Sequence, residues 1–510
     1  MEDLQNRIRQ AQTKNYIDRR AFIPNDRIEE LITRDSLAES FHLGPNIPIE
    51  QMTKVICILI LGTDVDADIP DLITDVYESG LTNDYLPVTR TESPGVLRSE
   101  STDPQKAGKT FEVFLRGRPD NRAHRFEKLQ WEFVSPTFGL GEHLVLSPHV
   151  ALPIICCYPE EDDNKGQGSV QKIQVHPAHL QHRSPSQLSR EDIPPIALKK
   201  LSQTSTKKDF SREYSALHKL QSLRHDHLIE LISSFKQDAY YFLFPWAGGG
   251  DLERFWKGKW GSAQRTRELV TWAFEQMEGI SSAVDRIHNL GIENSPNENG
   301  RHGDLKPQNI LLFDEDSSQN NPGTLRIADA GLARFHAEST SIRKAGTTTR
   351  GATIEYAPPE ALDEGEKAKR SRKFDMWSLG CIYLEFITWL IGGSGDVEEF
   401  KKRRKIPDCG HSEFYIKSKT IKNPEVTKHI KRLRRDNRCK KGTSLRDLLD
   451  VLENHLLVIE YQDRWNSRKL NEKLASILEK ARVQEGYLCG PDGFLPTSVY
   501  TSDSNGCWPH

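Results

Sequence analysis

Within eight residues, the run His302-Gly303-Asp304-Leu305-Lys306-Pro307-Gln308-Asn309 sets a carboxylate, a lysine two places on and a carboxamide five places on. These groups suit phosphoryl transfer, which needs little covalent help. It needs a divalent cation over the phosphates, a cation on the phosphates that stay, and a carboxylate aimed at the attacking hydroxyl. Asp304 would be that carboxylate, Lys306 would reach the transferring phosphate, and Asn309 would turn its amide oxygen to a metal. Asp329, after the strand-like Leu325-Arg326-Ile327-Ala328 and before Ala330-Gly331, would supply the main metal carboxylate. Lys199, closing the apolar run Pro195-Ile196-Ala197-Leu198, would hold the α- and β-phosphates, and Glu213 would orient it by an ion pair. Lys200 competes with Lys199 for that role. Taken singly, Lys199, Glu213, Gly166 and Gly168 read as ordinary surface and turn residues. The run from His302 to Asn309 differs because five chemically distinct groups fall at fixed spacing before a strand and an Asp-x-Gly.

Several elements must position these groups. Tyr214, Leu217, Leu220 and Leu223 recur every third residue, which predicts a helix over Phe210–Leu223 carrying Glu213. Tyr240–Trp246 reads as a buried strand closed by Gly248-Gly249-Gly250. Ala273, Met277, Ile280, Val284 and Ile287 line one face of a long helix before the run at 302. His176–Glu191, Glu293–Gly300 and Asp314–Gly323 are polar and read as loop insertions. Upstream, residues 1 to about 90 carry helix-like segments such as Arg27–Leu37. Thr89–Asp120, rich in Ser, Thr, Pro and Gly, reads as a linker, about 89–120. Phe126–Ile155 is dense in aromatic and β-branched residues, which predicts strands or an extended segment packing on the next domain. The expected organisation is an N-terminal region (1–149), a central domain (150–458, divided into 150–247 and 248–458), and a C-terminal helix with a flexible tail (459–510).

Bulk properties exclude several classes. With 510 residues, 36% hydrophobic and 28% charged, the chain can bury cores in roughly two to four domains. A formal net charge of -3 gives no whole-chain attraction to nucleic acid or anionic membrane. Eight scattered cysteines without a CxxC pair suggest reduced thiols, and the polar N-terminus has no secretory pattern, so a cytoplasmic or nuclear location is expected. The apolar run Val55–Leu61 is too short for a membrane span, which needs about 20 residues.

The same residues, in the same order, resemble the eukaryotic protein-kinase family over roughly residues 150–458. Gly166-Gln167-Gly168 stands for the glycine loop, Ile196-Ala197-Leu198-Lys199 for VAIK, His302-Gly303-Asp304 for HRD, Asp329-Ala330-Gly331 for DFG and Pro358-Pro359-Glu360 for APE. Asp375-Met376-Trp377-Ser378-Leu379-Gly380 resembles the helix whose buried aspartate secures the catalytic loop in the family. With its long N-terminal region, the chain also resembles large kinase-domain proteins of filamentous fungi. The resemblance implies an α+β, bilobal protein-kinase-like fold: a small β-rich N-lobe with one regulatory helix and a larger helical C-lobe, after a mainly helical N-terminal region. It implies ATP and Mg²⁺ as cofactors. ATP would meet Gly166, Gly168, Ile173, Ala197 (roof), Lys199, Glu213, Phe244 (back wall), Ala247 (hinge) and Leu311 (floor). His302 and Asp375 would be structural, and Thr353 and Glu360 would belong to the activation segment. Lys306 and Thr353 match the Ser/Thr type. Protein substrates remain unspecified, and the N-terminal region is expected to dock on the N-lobe or to bind a partner.

Departures from the family pattern open alternatives. Gln171 replaces the third loop glycine, Ala330 the phenylalanine of DFG, and Gly303 the HRD arginine. Losing that arginine removes the usual pairing with a phosphorylated activation segment, so Thr340 and Thr347–Thr349 are not expected to switch activity that way. A weak or inactive pseudokinase scaffold is one alternative. A small-molecule kinase, whose loop reads His-Gly-Asp, is another. Arg438, Lys440 and Lys441 compete as the partner of Glu360. The basic runs Lys401–Lys405 and Lys428–Arg435 read as solvated surface, with an import signal or anionic-partner patch as the sharper reading.

Overall fold

A computed structural model describes residues 2–41, 47–63, 69–114, 119–159, 168–181, 193–202, 204–262, 265–294, 299–314, 321–329, 334–336, 355–362, 371–406, 412–416 and 421–489. The chain forms two compact units, residues 1–206 with 231–246, and 207–230 with 247–510.

The first unit opens with helices α1 (Glu2–Gln10), α2 (Asn25–Leu31), α3 (Arg34–Ser40), α4 (Ile49–Gly62), α5 (Ile69–Ser79) and α6 (Pro119–Leu129). A short hairpin, β1 (Thr13–Lys14) with β2 (Ala21–Phe22), lies between α1 and α2. The expected single helix over Arg27–Leu37 is two, because Thr33 caps α3 by a reciprocal bond with Ser36 and ends the periodicity. The apolar run at Val55 lies in α4, whose residues Val55–Ile60 are all buried, so this helix is the centre of the first core rather than an amphipathic one.

The linker reading of about 89–120 is corrected. Strands β3 (Val88–Arg90), β4 (Val96–Ser99) and β5 (Thr110–Glu112) form an antiparallel sheet, and Leu97, Phe111, Val113 and Phe114 enter the same core as α4. The strands are short and their outward positions are polar, so composition reads them as loop. Phe126–Ile155 is likewise mixed: its first residues end α6, and the strands within it are β6 (Glu142–Val145) and the start of β7 (Ile154–Cys157).

A six-stranded sheet completes this unit. With β8 (Gly168–Val175), β9 (Ile196–Leu201), β10 (Ser233–Lys236) and β11 (Tyr240–Pro245), the order is β6-β10-β11-β9-β8-β7. Five strands form an antiparallel series, while β6 joins the β10 edge in parallel, Ser233 opposite Glu142. Directly opposed residues of antiparallel strands share a face. One face carries Ile173, Ile196, Leu198, Tyr241 and Leu243, packed with Phe138, Leu152 and Phe235 in a second core. The other carries Val170, Ala197, Lys199, Phe242 and Phe244. The stretch before β7 is bound in further: Gln237 donates to the carbonyls of Ser147 and Val150, and Phe138 exchanges backbone bonds with His179 and Gln181.

In the second unit, α7 (Lys207–Ser222) is followed by α8 (Leu252–Lys257), capped by Asp251, and by the 28-residue α9 (Arg267–Asn294). Strand β12 (Asn299–Arg301) pairs with β15 (Arg334–His336), and β13 (Ile310–Phe313) with β14 (Thr324–Ile327). Helix α10 (Lys373–Arg404) follows, then α11 (Pro424–Leu433), α12 (Ser444–Val451) and α13 (Ser467–Val483). Residues Phe374–Ile391 of α10 are all buried, so the helix runs through the core. It is the one described helix apolar and long enough to cross a membrane by composition, and its apolar window is wholly buried inside the protein. The helix kinks at Gly393 (φ 75), where a Cβ would sit 2.8 Å from the Gly261 carbonyl. Helix α13 packs along α9 in this unit, so the expected boundary at 458 falls inside a continuous core rather than at its edge.

Candidate active site

The catalytic-loop residues are built onto α10. Asp375, wholly buried, accepts the amide of His302 on Oδ2 (2.9 Å) and that of Gly303 on Oδ1 (2.8 Å), and Oδ2 also meets His288 Nε2 at 2.9 Å. Burial alone would raise the pKa of Asp375, but the bond from His288 and neighbouring positive charge hold it below the ordinary aspartate value. Gly303 sits at φ 81, a left-handed backbone that favours glycine, and a Cβ there would lie 3.2 Å from Arg301 Nε.

His302 bridges two loops. Its Nε2 lies 3.1 Å from the Ala328 carbonyl, which can only accept, so Nε2 carries the proton and Nδ1 accepts the amide of Asp304. Ala328 in turn donates its amide to the Asn309 carbonyl at 2.8 Å. The strand end bearing Asp329 is thereby tied to the loop bearing Asp304 and Asn309.

Around Asp304 the groups converge. Lys306 Nζ is 3.1 Å from Asp304 Oδ2, and Asn309 Nδ2 donates to the Asp304 carbonyl (2.8 Å) and to Oδ2 (3.1 Å). Asp304 is 8% exposed, and this burial raises its pKa against the pull of Lys306. A carboxylate so placed is a competent proton acceptor. Asn309 spends its NH₂ on Asp304, which leaves the amide oxygen to face a cation. Asp329 is exposed and adopts φ 59. One carboxylate and one amide oxygen are hard ligands suited to Mg²⁺, which binds through few protein oxygens together with phosphates and water. Among the described residues no cluster of three or more His, Cys, Asp or Glu could by itself hold a metal ion.

The remaining expected residues fall as follows. Ala197 lies opposite Phe244 across β9 and β11, and Lys199 shares their face. Lys200 bonds Asp238 at 3.0 Å, and its register opposite Tyr241 sets it on the other face of the sheet from Ala197, Lys199 and Phe244. Ile173 is corrected: its register with Ile196 turns it into the apolar core, away from Ala197 and Lys199, and Val170, opposite Lys199, takes their face instead. Gly168 opens β8, opposite Leu201. Glu213 is on the buried side of α7. Ala247 accepts the Gly250 amide in a turn, and that turn bonds Leu312 next to Leu311 on β13. Gly166, Thr353, Ala330, Gly331, Thr340 and Thr347–Thr349 lie outside the described residues.

Glu360 finds a partner that sequence reading missed. Arg464 meets it bidentately at 2.7 and 2.8 Å, with both side chains buried, in place of Arg438, Lys440 or Lys441. Arg438 is committed to Asp436 (2.8 Å). The surface reading of Lys401–Lys405 is corrected at Arg404, which is 0% exposed and bonds Glu385 at 2.7 Å; Lys401 pairs with Glu355 at 3.4 Å. No spacing rule would have found Arg464, 104 residues from Glu360.

The profile described as "Protein kinase domain" matches residues 187–472, more than half of the chain. Among curated proteins, the chain is similar to Serine/threonine-protein kinase RAD53 of Saccharomyces cerevisiae, 27% identical over 36% of this chain and 21% of the relative. It is 27% identical to Aurora kinase of Schizosaccharomyces pombe, over 49% and 59% of the two chains. It is 31% identical to Serine/threonine-protein kinase PKH3 of Eremothecium gossypii, over 37% and 24%. The matched part thus spans between about a fifth and three fifths of these relatives' lengths.

Proposed function

The chain belongs to the protein kinase domain family, and we propose that it transfers the γ-phosphoryl group of Mg-ATP to serine or threonine hydroxyls of proteins. The observation that carries this reading is the buried Asp304, held by Asn309 and Lys306 on a loop whose amides are fixed by Asp375. Mg²⁺, held by Asp329 and the Asn309 amide oxygen, would neutralise charge on the phosphates. Asp304 accepts the proton of the attacking hydroxyl as the new P–O bond forms and the bond to the β-phosphate oxygen breaks. Lys306 balances charge beside that carboxylate. On the sheet of the first unit, Ala197 and Phe244 offer the apolar face suited to an adenine, and Lys199 the cation suited to phosphates.

The N-terminal region would serve as a fixed companion of the small sheet and a docking surface for partners. A reducing, cytoplasmic or nuclear setting suits the five free cysteines among the described residues.

The test is labelled phosphate from Mg-ATP offered to generic protein substrates, to the chain itself and to small hydroxyl compounds. Asp304→Asn should cut incorporation into protein by roughly a thousandfold or more. Nucleotide binding without transfer would sink the reading in favour of a pseudokinase scaffold. Label only in small molecules would do so in favour of a small-molecule kinase.

A further inference from the structure

The two basic runs of the sequence meet different fates in the fold. In Lys401–Lys405, Arg404 is buried on Glu385, Lys401 pairs with Glu355, and Arg403 with Glu399 at 2.8 Å. The second run begins on α11 and continues past it. Residues 428–441 hold eight Lys and Arg and one Asp, a net +7 in a chain of -3, which leaves -10 on the other 496 residues. Positive charge is concentrated in this one place.

Helix α11 sorts the run by face. Val426, His429, Ile430 and Leu433 are buried, while Lys428, Lys431 and Arg432 are exposed. The Arg435 amide bonds the Arg432 carbonyl at 3.0 Å, so the turn continues beyond Leu433, and Arg435 is exposed as well. Lys440 and Lys441 are exposed further along. Part of this charge is met within the fold. Lys428 pairs with Glu425 at 2.8 Å, Arg434 with Asp450 and Glu453, and Arg438 with Asp436, and Asp396 is within electrostatic reach of Arg432 and Arg438. Lys431, Arg435, Lys440 and Lys441 have no ion-pair partner among the described residues. Lys428 and Arg432, like Lys431 and Arg435, are like charges four residues apart, an arrangement that costs the helix stability.

The chemistry of this face selects the partner. Pro424–Gly442 holds no Phe, Tyr or Trp, and its aliphatic residues Val426, Ile430 and Leu433 are buried. The face therefore lacks the rings on which nucleic-acid bases stack and the apolar side chains that enter a membrane interface. Its cations run in a line rather than converging on one point, as a small anion would require. Lys428 to Arg435 spans about 10 Å of helix rise, which about three residues of extended chain cover.

We propose that the exposed face of α11, with the turn to Lys441, docks an Asp- and Glu-rich segment of a partner protein, and that this partner is a substrate of the phosphoryl transfer. The second clause rests on the protein-kinase reading; the first does not.

The experiment measures fluorescence anisotropy on the full chain with a labelled peptide of about eight Glu and Asp residues, against the same peptide with Gln and Asn in their place. The acidic peptide should bind at least about tenfold tighter than the neutral one, and raising salt from about 50 to about 300 mM should weaken it at least about fivefold. Replacing Lys431, Arg435, Lys440 and Lys441 together by serine should weaken it at least about tenfold. Replacing the exposed Lys402, Lys405, Arg468 and Lys469 instead, which removes the same charge elsewhere, should change it by less than about twofold. Equal losses in the two variants overturn the proposal, as does equal binding of the acidic and neutral peptides by the wild-type chain, which decides even if a variant fails to fold. Tighter binding of an oligouridylate of about twelve nucleotides, or of phosphatidylserine vesicles, also overturns it. For the substrate clause, the acidic stretch is joined to a serine-containing peptide by a flexible linker of about 20 residues. It should lower KM at least about fivefold with kcat within about twofold, and the advantage should vanish in the Lys431, Arg435, Lys440 and Lys441 variant. An unchanged KM overturns that clause. A chain that binds the acidic peptide but transfers no phosphate defeats the protein-kinase reading and leaves the docking surface standing.

Discussion

Arg464 and Arg404 are both 0% exposed, and they grip the two ends of one short stretch, Glu355–Glu360, by different physics. Arg464 uses all five of its N–H donors: Nε to the Val458 carbonyl, Nη1 to Glu360 and the Lys373 carbonyl, Nη2 to Glu360 and the Ile459 carbonyl. Arg404 gives Nη2 to Glu385 and Glu355, but Nη1 has no hydrogen-bond partner among the described residues. Its guanidinium lies between aromatic rings instead, 4.0 Å from the centroid of Phe400 and 3.8 Å from that of Phe414. Phe400 is backed in turn by His429, stacked at 3.9 Å, whose pKa burial and nearby arginines push down to about 3. A buried guanidinium can therefore be accommodated by donor saturation or by stacking. The first demands one geometry, and the second tolerates an unmet donor.

The contrast can be broken by substitution. Arg464→Ala leaves Glu360 buried without its partner and should cost about 3–5 kcal/mol in denaturant unfolding. Arg464→Lys should recover little, because an ammonium cannot reproduce the fork. A cost below about 1 kcal/mol would show that the pair is dispensable. Arg404→Ala should cost less, about 2–3 kcal/mol, because Tyr356 still donates to Glu385 at 2.8 Å and Lys401 still faces Glu355. Here Arg404→Lys should restore more than half, as an ammonium can meet Glu385 and still lie over a ring. Equal lysine rescue at both sites would erase the distinction.

The smallest effect is pH-dependent. Burial, then the neighbouring Glu385, raises the pKa of Glu355 despite Lys401 and Arg404. A carboxyl whose folded pKa exceeds its unfolded one binds its proton better when folded, so charging it as pH rises costs stability. Glu355→Gln should then melt about 1–2 °C above wild type near pH 8. That advantage should vanish below the ordinary glutamate value of about 4.3. A variant that melts lower at pH 8 would mean the Lys401 and Arg404 attractions win.

The sequence made the catalytic loop readable because its groups lie within eight residues, where spacing alone fixes mutual position. The long helices were readable for a similar reason: periodicity is local, as in Met277, Ile280, Val284 and Ile287. What stayed hidden depends on register or distance. A one-residue question of strand phase decides whether Ile173 faces a ligand or the core. Five basic residues in a row mask the fact that Arg404 lies one helical turn after the buried Phe400 and shares its inward face. Glu360 and Arg464 meet only through the completed helical core. In β3–β5 the buried positions are too few for composition to outweigh the polar residues between them.

The strand β6 adds a constraint in time rather than space. It pairs in parallel with a strand 91 residues further along the chain. At synthesis rates of about 5–20 residues per second, β6 leaves the ribosome roughly 5–20 s before its neighbour. In that interval its edge is open to other chains, while the core gathered from residues Leu4–Phe133 already has all its members. The order of completion is then set by the chain: the N-terminal core first, the sheet later. Nascent chains arrested near residue 210 should yield a protease-resistant N-terminal fragment and a cleavable stretch around 140–160. Uniform digestion of such chains would show that the two cores close together. An N-terminal region that folds first would act as a template on which the small sheet finds its edge.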